Sequence, residues 1–202
     1  MILSGRIWHK LMAYLSSAMP ENIPPNQGPD GDSEKQERKI IIRKARRLDR
    51  TFVISLGSQL FSIYGPYERA VSQWFDHETT TTFIAELNRT RVGFIMLGSF
   101  NQGWETPLSF ELLALGLCPA SRRKGIGDRL MQTMENHAVQ QGLDRVFLHT
   151  AVINHSAQKL FYKRGYRPYG LEPQFYPAGQ DALVMSKKLR RPDLKESLDF
   201  ET

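Results

Sequence analysis

The sequence contains a single cysteine, Cys118, among 202 residues. An intramolecular disulfide is therefore excluded, and the composition is typical of a reducing compartment. Because Cys118 lies in an apolar run, we expect a small buried side chain rather than a nucleophile. The five histidines show no ligand spacing and have no partner cysteine, so the sequence predicts no metal site.

Long apolar runs are also missing. No stretch reaches the roughly 20 apolar residues that a spanning helix needs, so no transmembrane segment is predicted. His9 and Lys10 would interrupt the apolar core of a signal peptide, and a cytoplasmic protein is expected. The net charge of +6, from 27 basic and 21 acidic residues, is typical of a solvated surface. A nucleic-acid-binding protein is an alternative that only the net charge supports. Nucleic acid is therefore not expected as a partner.

Composition divides the chain into three parts. Residues 1–38 form a leader whose second half is rich in proline, glycine and charged residues, which predicts a disordered linker. The first half is either a short amphipathic helix that touches a membrane or partner, or a loosely ordered leader. Its apolar face would consist of Trp8, Leu11, Met12 and Leu15. Residues 39–189 form the domain, and residues 190–202 are a charged tail that we expect to fray.

Hydrophobic periodicity in the domain predicts the element order β-α-α-β-β-β-α-β-α-β-β. Asp49 is predicted to cap the first helix, and Gly142 to end the third. Strands near 111–117 and 146–152 flank that long helix, so they are expected to be parallel. The prediction is an α/β (α+β) fold with a mixed, mostly antiparallel central sheet flanked by helices.

A basic glycine loop, Arg122-Arg123-Lys124-Gly125-Ile126-Gly127, stands between the apolar strand and the long helix. This order directs several backbone N–H groups and the positive end of a helix at one point, which favours a phosphate. The loop is not a Walker sequence, because Lys124 precedes Gly125. Nor does it fit the dinucleotide fingerprint, which has three glycines and an acidic residue about twenty residues further on.

The loop, preceded by Leu117-Cys118-Pro119, resembles the acetyl-CoA-binding motif of the GNAT superfamily of N-acetyltransferases. A second family motif is matched by Asn154, Ala157, Leu160, Gly165 and Tyr166. The resemblance covers about residues 39–189. It implies an N-acetyltransferase, similar to those acting on ribosomal protein N-termini, with a parallel strand pair at the cofactor cleft.

The resemblance assigns the cofactor contacts to particular residues. Backbone amides from Arg123 to Asp128 would hold the CoA pyrophosphate, and the strand from Glu111 to Leu117 would pair with the pantetheine arm. Gly116 would accommodate the bulge that splays this strand from its neighbour. The implied cofactor-binding residues are Leu115, Leu117, Arg122, Arg123, Lys124, Gly125, Ile126, Gly127, Asp128, Asn154, Ala157 and Phe161. No metal is implied.

The resemblance also implies catalytic roles. Glu111 would accept the proton of the attacking amine; the alternative is an acidic residue at a strand start that merely faces solvent. The amide of Leu117 would donate to the developing oxyanion. The family tyrosine falls at Phe161, and Tyr162 lies one residue later, rotated by about 100°. Either the helix shifts and Tyr162 protonates the thiolate, or water does so, or catalysis is impaired; of these we favour Tyr162 as the proton donor.

The implied acceptor is an amine: a protein N-terminus, a lysine or a small amine. It would bind between the two N-terminal helices, the hairpin and residues 171–180, near Tyr64, Tyr67, Trp74, Trp104, Phe175 and Tyr176. A homodimer is compatible with the sequence. A non-catalytic module that senses acetyl-CoA is the alternative function; it would bind acetyl-CoA but release no CoA with any amine.

Overall fold

The computed structural model describes residues 39–100 and 109–189. Our predictions for the leader, for Trp104 and for the tail lie outside the described residues. The described strands and helices follow the predicted order. Their bounds are β1 Ile40–Lys44, α1 Arg50–Phe61, α2 Tyr67–Asp76, β2 Thr80–Leu87, β3 Thr90–Phe100, β4 Ser109–Leu117, α3 Ile126–Gln140, β5 Arg145–Ala151, α4 His155–Lys163, β6 Arg167–Glu172 and β7 Ala182–Lys188.

All seven strands form one sheet in the order β1-β2-β3-β4-β5-β7-β6. Strands β4 and β5 are parallel, and the other neighbouring pairs are antiparallel. The parallel pair arises because α3 connects the two strands and returns the chain to the same end of the sheet. The predicted mixed, mostly antiparallel sheet is confirmed.

Helices cover both faces of the sheet. On one face α1 and α2 bury Val53, Leu56 and Val71 against β2 and β3. On the other face α3 buries a row of residues four apart, each at most 1% exposed: Ile126, Leu130, Met134 and Ala138. This spacing places one side of α3 against the sheet, as the sequence predicted.

The prediction that Asp49 caps α1 is wrong. Asp49 directly precedes the helix, but its carboxylate makes no capping bond. It accepts hydrogen bonds from the Arg43 guanidinium at 2.7 and 3.0 Å and from the Arg46 N–H at 2.8 Å. The bonds from Arg43 lower the pKa of Asp49 to about 2, although burial opposes the shift. A buried carboxylate takes a cationic partner from β1 in preference to the amides of its own helix.

Candidate active site

The site begins where β4 and β5 separate. The two strands pair only between Phe110–Leu112 and Val146–Leu148. Beyond Leu112, β4 continues to Leu117 and pairs only with β3. Beyond Leu148, β5 continues to Ala151 and pairs only with β7. The facing edges of the two strands therefore border an open slot in the middle of the sheet.

A bulge in β4 marks the point of separation. Met96 opposes Ala114 and Leu97 opposes Leu112, so Leu113 is the extra residue. The predicted bulge at Gly116 is wrong, because Gly116 pairs regularly with Phe94. A Cβ atom on Gly116 would lie 2.8 Å from Phe94 Cε1, so the glycine makes room for that ring. A bulge bends its strand, which accounts for the divergence immediately after Leu112.

The separated part of β4 presents backbone groups to the slot. Cys118 N–H donates to the Val92 carbonyl in β3 at 2.8 Å. Because alternate residues of an antiparallel strand bond to the same neighbour, Leu117 and Leu115 direct their N–H and C=O groups to the opposite edge. These groups can pair with an extended amide-containing ligand, the role predicted for this strand with the pantetheine arm.

A second set of backbone N–H donors lies at the start of α3. Gly125 precedes the helix with φ +78° and offers no side-chain cap. The first helical bond runs from the Arg129 N–H to the Gly125 carbonyl at 3.1 Å. The N–H groups before Arg129, on Ile126, Gly127 and Asp128, therefore point outward at the positive end of the helix.

Three cations of the predicted anion site surround this helix start. Arg122 and Arg123 are exposed, and Lys124 is half-buried. Arg123 has φ +57°, an uncommon conformation for a residue with a Cβ atom, and it shapes the turn into Gly125. The open amides and these cations fit a pyrophosphate.

Gly127 serves packing as well as the loop. A Cβ atom on Gly127 would lie 3.2 Å from Leu160 Cδ2 and 3.4 Å from Leu117 Cδ1. The missing side chain lets α4 and the end of β4 approach α3 closely. This contact brings the second sequence motif next to the first.

The residues in and around the second motif differ in how deeply they are buried. Asn154 caps α4, since its Oδ1 accepts from the Ala157 N–H at 3.2 Å, as predicted. Ala157 packs at the edge of the main core. Phe161 is 4% exposed and belongs to that core. Tyr162 is 42% exposed and shares the outer side of α4 with Lys159.

Glu111 and His149 form a close pair across β4 and β5. Glu111 lies opposite Phe147, two residues before His149. His149 Nδ1 is 2.7 Å from Glu111 Oε1, and Nε2 is 3.4 Å from Glu172 Oε1. The neighbouring Leu112 and Leu148 point into the α3 side, so this pair lies on the α1 and α2 side.

Sequence reasoning missed His149. The available signal was alternation on β5, which places Phe147 and His149 on one face of the sheet. Using it required the register between β4 and β5, because only that register places Glu111 beside His149.

The surroundings of His149 set its charge. Burial lowers its pKa, but the hydrogen bond to Glu111 and the charges of Glu111 and Glu172 outweigh burial and raise it above its usual value. Phe175 stacks on the imidazole at 4.3 Å between ring centroids. Burial together with the charge of Glu111 raises the pKa of Tyr67 and Tyr176, so both remain neutral hydroxyl groups.

Most of the aromatic residues predicted for the acceptor region do meet. Tyr176 lies 4.8 Å from Tyr64 and 6.2 Å from Tyr67, measured between ring centroids. Phe175 lies 5.0 Å from Tyr176. Trp74 lies 6.2 Å from Tyr67, and it also packs among the residues between α1, α2 and the sheet. The aromatic cluster therefore adjoins the Glu111–His149 pair on the same face.

Residues 39–100 and 109–189 contain neither a cluster of metal ligands nor a membrane-spanning helix. No group of three or more metal-ligating side chains occurs there. No helix in this part of the chain is long and apolar enough to cross a membrane.

Comparison with known proteins identifies the family. Residues 48–166 match the model of the acetyltransferase (GNAT) family. An uncharacterized N-acetyltransferase of Methanocaldococcus jannaschii is 29% identical over 160 residues, which are 79% of this chain and 97% of that protein. An N-alpha-acetyltransferase of Sulfurisphaera tokodaii is 26% identical over 162 residues, 77% of this chain and 96% of that protein.

A solved structure shows the same fold. The ribosomal-protein-S18-alanine N-acetyltransferase of Escherichia coli superposes with a TM-score of 0.65 at 16% identity, covering 78% of this chain and 98% of that one. The chain therefore belongs to the GNAT acetyltransferase family and is an acetyl-CoA-dependent N-acetyltransferase. The substrate that accepts the acetyl group is an amine.

Proposed function

We propose that this enzyme acetylates the α-amine of a polypeptide. The observation that carries the proposal is the 2.7 Å contact between Glu111 and His149, beside the slot and the aromatic cluster. An α-amine has a pKa of about 8 and a lysine side chain about 10.4. Glu111 raises the pKa of His149, and proton transfer to this imidazole is less unfavourable from an α-ammonium group than from a lysine. The names of the Sulfurisphaera and Escherichia proteins support the same acceptor class.

In this proposal the two residues remove the proton from the attacking amine. Glu111 holds the Nδ1 side of His149, which leaves Nε2 to accept the proton. Glu172, 3.4 Å from Nε2, stabilises the imidazolium that forms. The nitrogen then bonds to the acetyl carbon and CoA departs as a thiolate. The Leu117 N–H, directed into the slot, would donate to the carbonyl oxygen.

The proposed cofactor contacts lie at the start of α3 and along the two walls of the slot. Acetyl-CoA supplies the acetyl group, and its pyrophosphate would lie at the open amides of Ile126, Gly127 and Asp128. The pantetheine arm would pair with Leu115 and Leu117, and Asn154 and Ala157 would line the opposite wall. The proposed step uses these residues and no metal.

Nucleic acid is not part of the proposal. Arg43 is paired with Asp49 and Glu86, and Arg50 is paired with Asp76. These two arginines near the start of the domain are thus engaged in ion pairs within the protein. We place the enzyme in the cytoplasm, the compartment that its single cysteine favours.

We expect Tyr162→Phe to change kcat by less than twofold and to leave the pH profile unaltered. The Tyr162 side chain is on the outer side of α4, whereas the position of the family tyrosine, Phe161, faces the core. Water is therefore the proposed proton donor for the departing thiolate. Steady-state kinetics over a pH range checks this, and a tenfold fall in kcat would return the donor role to Tyr162.

The acceptor is tested with a matched peptide panel and mass spectrometry. One peptide with a free α-amine and one lysine is compared with the same peptide carrying a formylated N-terminus. We expect acetylation of the first peptide at its N-terminus and none of the second. Small amines form the third group. Acetylation confined to lysine or to small amines would refute the proposed acceptor, and release of no CoA with any amine would favour the sensing module.

A further inference from the structure

We propose that Arg164 is a positioning residue that sets the width of the acetyl-CoA slot by bracing α4 against α3. The inference rests on the cofactor placement proposed above. Arg164 directly follows α4, and its two terminal nitrogens reach two acidic residues of α3. Its Nη2 lies 2.5 Å from Glu135 Oε2, and its Nη1 lies 3.6 Å from Asp128 Oδ2.

The two carboxylates lie on the same side of α3. Asp128 and Glu135 are seven residues apart, which is about two helical turns. The planar guanidinium of Arg164 therefore spans two turns of the helix with one side chain. We call this arrangement of Arg164, Asp128 and Glu135 the bracket.

Burial makes the bracket stronger than a surface ion pair. The side chains of Glu135 and Arg164 are only 7% and 16% exposed. Glu135 also binds Lys187 from β7, with Nζ at 2.7 Å from Oε2. Attraction between charges increases as water is excluded, so the bracket holds α4 to α3, and the Glu135–Lys187 pair holds α3 to β7.

The bracket lies at the end of α4 opposite the slot. Asn154 caps one end of the helix and Arg164 follows the other, about 15 Å away at 1.5 Å per residue. Between them Leu160 packs on Gly127. A helix held at its far end cannot swing about this contact. Without the bracket, the Asn154 end could move away from β4 and widen the slot.

The bracket also adjusts the charge at the anion site. Asp128 is in the first turn of α3, where its carboxylate would repel a nearby pyrophosphate. Arg164 and Lys163, the latter with Nζ at 3.7 Å from Asp128 Oδ1, supply compensating positive charge. Both effects of the bracket, on geometry and on charge, favour cofactor binding. Neither involves the Glu111–His149 pair.

The test compares Arg164→Gln with the native enzyme by steady-state kinetics and by calorimetric titration with acetyl-CoA. We expect the KM and Kd for acetyl-CoA to rise about tenfold, while kcat stays within twofold. Arg164→Lys should recover part of the affinity. The fold should survive, because Glu135 retains Lys187 as its partner. The control is Arg50→Gln, which breaks the ion pair with Asp76 between α1 and α2 and should leave the KM unchanged.

A double variant distinguishes the bracket from a general loss of stability. Asp128→Asn leaves the Glu135 pairs intact and removes a charge that Arg164 compensates in the native enzyme. It should therefore change acetyl-CoA binding by less than twofold in the native background and restore part of the affinity that Arg164→Gln loses. Additive effects, an unchanged KM, or a fall in kcat alone would overturn the inference. If the native enzyme binds acetyl-CoA and the variants bind it equally well, the bracket is overturned but the cofactor placement is not. A native enzyme that binds no acetyl-CoA would overturn the cofactor placement and the inference together.

Discussion

Replacement of His149 by glutamine is expected to lower kcat by about 10²- to 10⁴-fold, the usual contribution of a general base. Glutamine retains hydrogen-bonding groups near Glu111 but cannot accept a proton at neutral pH. The KM for acetyl-CoA should remain within twofold, because His149 lies on the α1 and α2 side, away from the start of α3. Kinetics with a free-α-amine peptide provides the measurement.

The carboxylates around His149 should show a graded effect. Glu111→Gln removes the partner at 2.7 Å and should approach the loss seen for His149→Gln. Glu172→Gln removes the partner at 3.4 Å and should cost less. The exposed Glu68 on α2 provides a control, Glu68→Gln, with an unchanged rate. If kcat is the same in His149→Gln, Glu111→Gln and Glu172→Gln as in the control Glu68→Gln, proton removal by this pair is excluded.

The pH profile gives an independent check on the same pair. A general base must be unprotonated, so the rate should rise with pH through the pKa of His149. Burial lowers this pKa, but the hydrogen bond to Glu111 and the nearby carboxylates raise it overall, so the inflection should lie above about pH 6.5. In Glu111→Gln only Glu172 still opposes the effect of burial on the pKa of His149. The pKa should therefore fall, and the inflection should move to lower pH. A shift to higher pH would contradict the assignment.

Replacement of Gly125 by valine is expected to weaken acetyl-CoA binding at least tenfold. Gly125 has φ +78°, and a β-branched residue in this region is strained by about 1–3 kcal/mol. The loop would relieve the strain by changing its path, and the amides of Ile126 and Gly127 would lose their common direction. The new side chain would also extend into the open space around Gly125, where we propose that the pyrophosphate binds.

Thermal denaturation with and without acetyl-CoA measures the effect. For the native protein, acetyl-CoA at a hundred times its Kd should add about 2.7 kcal/mol to the free energy of unfolding. The same concentration should stabilise Gly125→Val by about 1.4 kcal/mol or less, because a tenfold weaker Kd subtracts that amount.

The same helix supplies a matched control in Gly142→Val. Gly142 has φ +79° and open space around its Cβ position, but it follows the opposite end of α3. Both variants should therefore lose similar stability, and only Gly125→Val should lose affinity. An equal loss of affinity in the two variants would attribute the effect to strain and refute the proposed pyrophosphate site.

Local patterns carried most of the fold prediction. The four-residue spacing of Ile126, Leu130 and Met134 predicted α3, and the apolar run before Pro119 predicted β4. The two motifs predicted the walls of the slot, because each lies within one loop or helix, where residues close in sequence are also close in space. The cap assigned to Asp49 failed, since its partner Arg43 lies on β1 and is chosen by burial and charge.

The sequence by itself determined the element order, the mixed sheet, the helix start suited to an anion and the resemblance to an acetyltransferase. These depend on residues close together in the chain. Only the tertiary structure decided that the bulge is at Leu113, that His149 meets Glu111 and that Tyr162 is exposed. Each of these depends on strand register or helix packing, which join residues far apart in the chain through contacts that no local pattern specifies.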